Sequence, residues 1–329
     1  MYPPEDHGGP AETGPEQEPR RRRRAGIAGT AVIVALSLLL AGILKGHRFI
    51  PNAGFNVGSL VETFLPWFGL AVPILLVWAV WRRSIVSIAA VLIPAVVWAF
   101  MFGGLIPDKS TGEGDFSIVT HNVKAGNTDV RSTADSLAAS EADVIVGVEL
   151  TPEKRAVYDE VLGEGYPNAV DYGTVGLWSK YPVSASEPVD LGIGWTRAFR
   201  AQIDIEGEPV AVYVAHLLSV RVNTEGFTIE QRDETARLLG NAIADEQLDR
   251  VVLAGDLNGT MQDSALAPIT YQLRSAHAAA GKGFGFTWPE YFPAARIDQI
   301  LFRGLTATDS AVLGETGSDH LPIRANFSF

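Results

Sequence analysis

The sequence predicts a mixed α/β domain with more than one sheet, preceded by three membrane-spanning helices. Three observations predict it. Residues 25 to 106 are almost purely apolar, whereas residues 113 to 329 have the mixed composition of a soluble globular domain. Within that second part, strand-like apolar runs alternate with helix-like amphipathic ones. Its length is also enough for one well-buried core.

The N-terminal residues 1–19 are rich in Pro, Gly and Glu and read as a disordered tail. Arg20 to Arg24 follow directly before an apolar stretch, so the run reads as a topology signal and closes a cytoplasmic segment 1–24. Ala25–Leu44 is 20 residues without a charge, and Thr63–Trp81 and Ser84–Ile106 are uncharged stretches of 19 and 23. A spanning helix requires ~20. Trp67, Trp78, Trp81 and Trp98 lie in the last two and suit interfacial belts, while Pro66, Pro73 and Pro94 are kinks a bilayer tolerates. A cleaved signal peptide is the rival reading of the first stretch, but no small-residue cleavage site stands out. Arg82 and Arg83 form the turn between the second and third spans, so both basic clusters belong inside. The expectation is a multi-pass protein of the plasma membrane with everything after Ile106 outside. Glu62, at the outer end of span two, reads as interfacial.

Pro107–Gly114 is a polar, turn-rich linker of eight residues, followed by a globular domain over 115–329. Residues 113–329 carry 16 Lys and Arg against 31 Asp and Glu. So acidic a domain is a poor general collector of nucleic acid. The chain has no cysteine, which excludes disulfides, a thiolate nucleophile and a zinc–thiolate site.

Apolar runs expected as strands are Phe116–His121, Val144–Val148, Ala198–Ile205, Val210–Ala215, Val251–Ala254, Ile297–Phe302 and Leu321–Phe327. Asp129–Ser140 and Thr228–Glu246 read as helices, the second with Thr228 and Gln231 at capping-box spacing and Ile229, Ala236, Leu239 and Ile243 on one face. The polar residues of interest sit at the ends of the apolar runs: Asn122, Glu149, His216, the pair Asp256 and Asn258, Asp298, and Asp319 beside His320. Each alone has a bland reading, as a solvated strand end, a loop turn or a hydrogen-bonded structural histidine. Together they supply a full set for one reaction.

Gly255-Asp256-Leu257-Asn258, Arg296-Ile297-Asp298 and Ser318-Asp319-His320-Leu321-Pro322, in this order, resemble the endonuclease/exonuclease/phosphatase superfamily. The segment Gly176 to Val183 resembles it too, and the likeness covers Phe116 to Phe329. Val148 stands where a Gln commonly precedes the metal-binding Glu, and His121 where a Trp commonly precedes the Asn. The resemblance implies a DNase I-like four-layered α/β sandwich, two mixed sheets face to face with helices outside. It implies Mg²⁺ (or Mn²⁺), held by Glu149 with Asn122 and Asp319. It further implies that Asp256 deprotonates the attacking water and Asn258 holds water and phosphoryl oxygen in line. His216 and His320 then stabilise the phosphate, and Asp298 orients His320. Arg296 reads equally as structural or phosphate-adjacent, and His121, on the opposite side of its strand from Asn122, reads as structural.

Three spans followed by this domain also resemble the actinobacterial membrane proteins associated with teicoplanin and vancomycin resistance. That likeness implies a phosphorylated lipid at the membrane surface as substrate, such as a polyprenyl diphosphate of the cell wall. A surface nuclease acting on DNA or RNA is the rival enzyme, and a non-catalytic binding module the rival of another class.

Overall fold

The computed structural model describes residues 17–219 and 229–329. Thr228, expected to cap a helix, lies outside them, as do residues 1–16 of the expected tail. The described chain falls into two compact units: one reaches Lys45 and resumes over Trp67–Ala99, and the other comprises Gly46–Pro66 and Phe100–Phe329.

Four helices come first: α1 (Gln17–Gly46), α2 (Ala53–Thr63), α3 (Ala71–Trp81) and α4 (Ile85–Phe102). Because α1 begins at Gln17, the backbone of Arg20–Arg24 is helical and not part of an unstructured tail. Arginine is among the better helix formers, so the run continues the helix it precedes. Ile27–Phe49 and Ile85–Leu105 are long and apolar enough to cross a membrane, each with a mean hydropathy of 2.5. A third span is reached only if Asn56–Thr63 and Leu65–Trp81, a bent pair, count as one. The span expected over 63–81, with Pro66 as a kink, corresponds to the second member of that pair, Leu65–Trp81. Pro66 has no amide hydrogen to carry the helix on, Gly69 follows it, and Leu65–Leu70 winds as a 3₁₀ turn.

The second unit holds two six-stranded sheets. One is built, in chain order, from β1 (Phe116–Asn122), β2 (Val144–Val148), β3 (Asn168–Tyr172) and β4 (Val175–Ser179), and completed by β11 (Thr306–Val312) and β12 (Ile323–Ser328). Its spatial order is β11-β12-β1-β2-β4-β3. The other comprises β5 (Val183–Pro188), β6 (Ala198–Ile205), β7 (Glu208–His216), β8 (Val251–Asp256), β9 (Arg274–Ser275) and β10 (Asp298–Arg303). Its order is β5-β6-β7-β8-β10-β9. Both are mixed: β1 and β2 run parallel, as do β7 and β8, and the other pairings are antiparallel.

Strand periodicity assigns each face. Val210, Val212 and Val214 of β7 enter the core between the sheets, with Ile118 of β1, Val146 of β2 and Ile300 of β10. Their neighbours Ala211, Tyr213 and Ala215 face outward and pack with Ala236, Leu239 and Ile243 of helix α7 (Ile229–Ala244). On the other sheet Val119, Ile145 and Trp178 pack with Leu137 of α5 (Val130–Ala138) and Tyr158 and Leu162 of α6 (Pro152–Leu162). The result is four layers, helix–sheet–sheet–helix, as the resemblance implies.

Residues 107–114 do not extend freely. Thr111 N donates to the Thr308 carbonyl at 2.8 Å, and Asp115 N to the Phe327 carbonyl at 2.7 Å. The linker is laid against the edge of the first sheet, because its backbone donors find strand acceptors there.

Candidate active site

The two parallel pairs, β1/β2 and β7/β8, bring their C-terminal ends to one edge of the sandwich. Counting by twos from the core residues, Asn122, His216, Asp256 and Asp298 all fall on the side facing the opposite sheet. The register tightens this: Asp256 lies opposite His216 on β7 and opposite Asp298 on β10. Three functional side chains thus stand in a row across adjacent strands. Gly255 makes the row possible. Its φ is +147°, and a Cβ there would collide with the Ala215 carbonyl oxygen.

Glu149 breaks the counting rule. A straight continuation of β2 would send it to the helix side with Ile145, but its backbone takes φ +63°, a conformation uncommon for a non-glycine residue. Its carboxylate reaches the cleft, accepting from Asn122 Nδ2 at 3.1 Å and from Ala125 N at 2.8 Å.

The same Asn122 amide donates to Asp256 Oδ2 at 2.9 Å, so one side chain ties the two sheets together. Asp256 Oδ1 accepts from the Asn258 amide at 2.8 Å, and Asn258 Nδ2 donates to the Leu217 carbonyl at 2.9 Å. His216 Nε2 lies 3.7 Å from Glu149 and 3.8 Å from Asp256. His320 Nε2 lies 3.9 Å from Asp256, while its Nδ1 is 2.9 Å from Asp298 Oδ2. Thr287 Oγ1 donates to that same Asp298 oxygen at 2.6 Å. The expected pairing of Asp298 with His320 is therefore present.

The two histidines are set to opposite charge states. Burial and the nearby Arg197 guanidinium push His216 well below the ordinary imidazole value. Burial acts the same way on His320, but the Asp298 carboxylate more than offsets it and the group is pushed up to about 10. Asp256 is raised to about 7, first by burial and then by the neighbouring Asp298 charge.

Asp319 stands apart at the rim. It lines the same cavity, but its side chain is 42% exposed and faces Lys124 Nζ at 3.9 Å. Glu149 (side chain 31% exposed) and Asp319 offer carboxylate oxygens on the cavity lining, which suits a hard divalent cation, whereas Asn122 is buried and its Oδ1 accepts from Lys124 N at 3.0 Å. Asp256, Asp298 and His320 also bring ligand-type atoms within 4.8 Å of one another. Asp256 accepts at both oxygens, from Asn258 N and Asn122 Nδ2, and Asp298 Oδ2 is shared by Thr287 and His320.

His121 points away from the cleft, as expected. Its Nε2 is 3.1 Å from the His320 carbonyl, which only accepts, so Nε2 carries the proton. Arg296 is buried, donating to the Gly285 carbonyl at 3.0 Å. Three further residues in or behind the cavity wall carry no motif in the sequence. Arg197 is buried and donates from Nε to the His216 carbonyl at 2.8 Å, stacked on Trp195 at 4.9 Å. Thr287 orients Asp298, and Trp288 lines the cavity. A buried arginine with only carbonyl acceptors was the available signal for the first, and it is visible only in three dimensions.

The family model described as Endonuclease/Exonuclease/phosphatase family matches residues 119–320. No curated protein sequence matches the chain. Among solved structures, humanized D. rerio TDP2 is similar with a TM-score of 0.55 at 22% identity, over 65% of this chain and 99% of that one. A Bacteroides thetaiotaomicron mannosyl-6-phosphatase has a TM-score of 0.55 at 15% identity, over 65% and 100% of the two chains. The Staphylococcus aureus beta toxin has a TM-score of 0.51 at 15% identity, over 64% and 99%. At these identities the likeness is one of fold. Members of the matched family are metal-dependent phosphoester hydrolases, phosphatases and nucleases among them. With the family model covering more than half of its length, the chain belongs to the endonuclease/exonuclease/phosphatase family.

Proposed function

We propose that the protein is a membrane-anchored, Mg²⁺-dependent phosphoesterase that hydrolyses a lipid-linked phosphate or diphosphate outside the cytoplasm. The observation that carries the reaction class is the row His216–Asp256–Asp298, joined through Asn122 to Glu149 across the sandwich. Apolar helices in the same chain, with the acidic balance of its catalytic part, favour a phosphate at a membrane surface over a nucleic acid. The resemblance to resistance-associated membrane proteins supports a cell-wall intermediate such as a polyprenyl diphosphate.

Glu149, Asn122 and Asp319 would hold the cation. Bound there, it supplies charge to the phosphoryl oxygens. Asp256, raised to about 7 by burial, takes the proton of the attacking water as that water's oxygen bonds to phosphorus and the P–O bond to the leaving oxygen breaks, the bond pair departing with the alcohol or phosphate oxygen. The Asn258 backbone amide holds Asp256 Oδ1, and Oδ2, which accepts from Asn122, is the oxygen that faces His216 and His320. His320, kept cationic by Asp298, faces the developing negative charge, and neutral His216 donates a hydrogen bond beside it.

The test is phosphate release from undecaprenyl diphosphate by the detergent-solubilised full-length protein with Mg²⁺. Asp256→Ala is expected to lower turnover by ~10²–10⁴, the range for losing a positioned general base. Near-normal turnover in that variant removes Asp256 from the mechanism. Release from DNA or RNA, but from no lipid diphosphate, favours the nuclease.

A further inference from the structure

Helix α2 belongs to the same compact unit as the catalytic sandwich. It is fastened there by Glu62, which is 1% exposed although the sequence places it among apolar residues at a span end. The Glu62 carboxylate accepts from Ser264 N and from Ser264 Oγ, both at 3.1 Å. The Glu62 carbonyl accepts from Thr260 Oγ1 at 3.2 Å. The 3₁₀ turn Ser264–Leu266 that receives it is itself fixed, because Asp263 caps it and pairs with buried Arg232 at 2.7 Å. Glu62 is therefore a clasp between α2 and the loop following the Asp256 strand, and the expectation that it is merely interfacial is revised.

The clasp sets α2 along an open cavity of about 760 Å³, lined on one side by Glu149, His216, Asp256 and His320 and on the other by α2 and Phe64. The α2 side has no charged group in the cavity. It places Leu60 and Phe64 there beside the uncharged Asn56, Ser59 and Thr63, and Trp288 lines the cavity from the catalytic side. Leu60 is 50% exposed. A cavity with charged groups at one end and an uncharged side carrying Leu60, Phe64 and Trp288 at the other matches an amphiphile, with phosphate at the carboxylates and hydrocarbon along Leu60 and Phe64. Directly beyond Phe64 the chain enters the apolar segment Leu65–Trp81, so the wall is continuous in sequence with the part of the protein suited to lipid.

We propose that α2 is the specificity element of this enzyme: clasped by Glu62, it receives the hydrocarbon chain of the phosphorylated substrate along Leu60 and Phe64. The proposal rests on the phosphoesterase reading above and names the substrate class as phosphoesters of long apolar alcohols.

A chain-length series tests it. Isopentenyl, farnesyl and undecaprenyl diphosphate share one headgroup and differ in hydrocarbon. With the full-length protein in detergent, kcat/KM is expected to rise at least about tenfold from the shortest to the farnesyl compound, since each buried methylene contributes roughly 0.8 kcal/mol and two suffice. Leu60→Gln and Phe64→Gln are each expected to reduce that ratio severalfold. Glu62→Ala, which releases the clasp, should do the same by a different route. Leu60 is half exposed, so its variant tests the wall without emptying the core. A chain-length ratio that survives all three substitutions, or a wild type indifferent to chain length, overturns the proposal while leaving the phosphoesterase intact. Absence of release from every diphosphate overturns the lipid-phosphate reading and this proposal together.

Discussion

Asp298 acts on the site through His320 alone among the cleft histidines in direct reach, with Nδ1 at 2.9 Å and Thr287 holding the same oxygen. The carboxylate keeps His320 protonated far above the ordinary imidazole range, at about 10. Asp298→Asn removes that charge, and the folded-state value of His320 then falls. If cationic His320 serves turnover, the alkaline limb of the pH–rate profile moves to lower pH by ~1 unit or more, the usual size of losing an adjacent opposite charge. A limb that stays in place separates His320 protonation from catalysis. At this scale the sequence was legible where a functional residue ends an apolar run, as Asn122, His216, Asp256 and Asp298 do. Glu149 was readable as the carboxylate ending an apolar run, but not the face it takes, since its positive φ turns it to the other side. Arg197 and Glu62 were not readable, because their roles depend on carbonyls and hydroxyls delivered by segments distant in sequence.

Among the elements, α7 is pinned to the second sheet by more than its apolar stripe. Just past its end, Glu246 (side chain 2% exposed) accepts from Arg200 Nε of β6 at 2.5 Å and from Tyr213 Oη of β7 at 3.0 Å. Burial by itself would raise the Glu246 carboxyl, but Arg200, the Leu248 amide and Tyr213 overcome it and hold the group at about 2. A carboxyl whose value is depressed in the folded state contributes stability that is complete above its unfolded value and vanishes as the pH falls to about 2. Glu246→Gln is therefore expected to be less stable than wild type in chemical denaturation at pH 7 and to lose most of that difference by pH 2 to 3. A difference that is constant with pH assigns the effect to packing instead. The same helix was visible in the sequence through Ala236, Leu239 and Ile243, whereas strands β3, β5 and β11 were not. Those three carry mixed or polar sequences at or near the sheet edges, where one face meets water and the apolar signal is diluted.

For the whole molecule, the proposed outward-facing domain is open to a direct check, because the chain has no cysteine. Ser136→Cys places a single thiol on an exposed turn of α5, and Arg83→Cys places one in the short turn before α4. In intact cells, a membrane-impermeant maleimide is expected to label the first and to reach the second only after permeabilisation. The reverse pattern puts the catalytic domain in the cytoplasm and rules out an outer-surface substrate. The sequence conveyed the apolar stretches and the Pro66 kink, but not that the chain before it, Asn56–Thr63, is helical and bent by 68° against Leu65–Trp81.

The Asn122 amide, spanning from Glu149 on one sheet to Asp256 on the other, works as a feeler gauge set in the gap between two plates. Its reach is fixed by covalent geometry, so the spacing of the plates is read directly at the reacting centre. That spacing is set deep in the stack by residues such as Ile118, Val146 and Val212, none of which touches the cleft. Wear anywhere in that stack registers as lost turnover before it registers as lost fold, because a misplacement of ~1 Å is worth about 10²-fold in rate. The dimension on which this chemistry depends is thus machined by hydrocarbon, far from any charge.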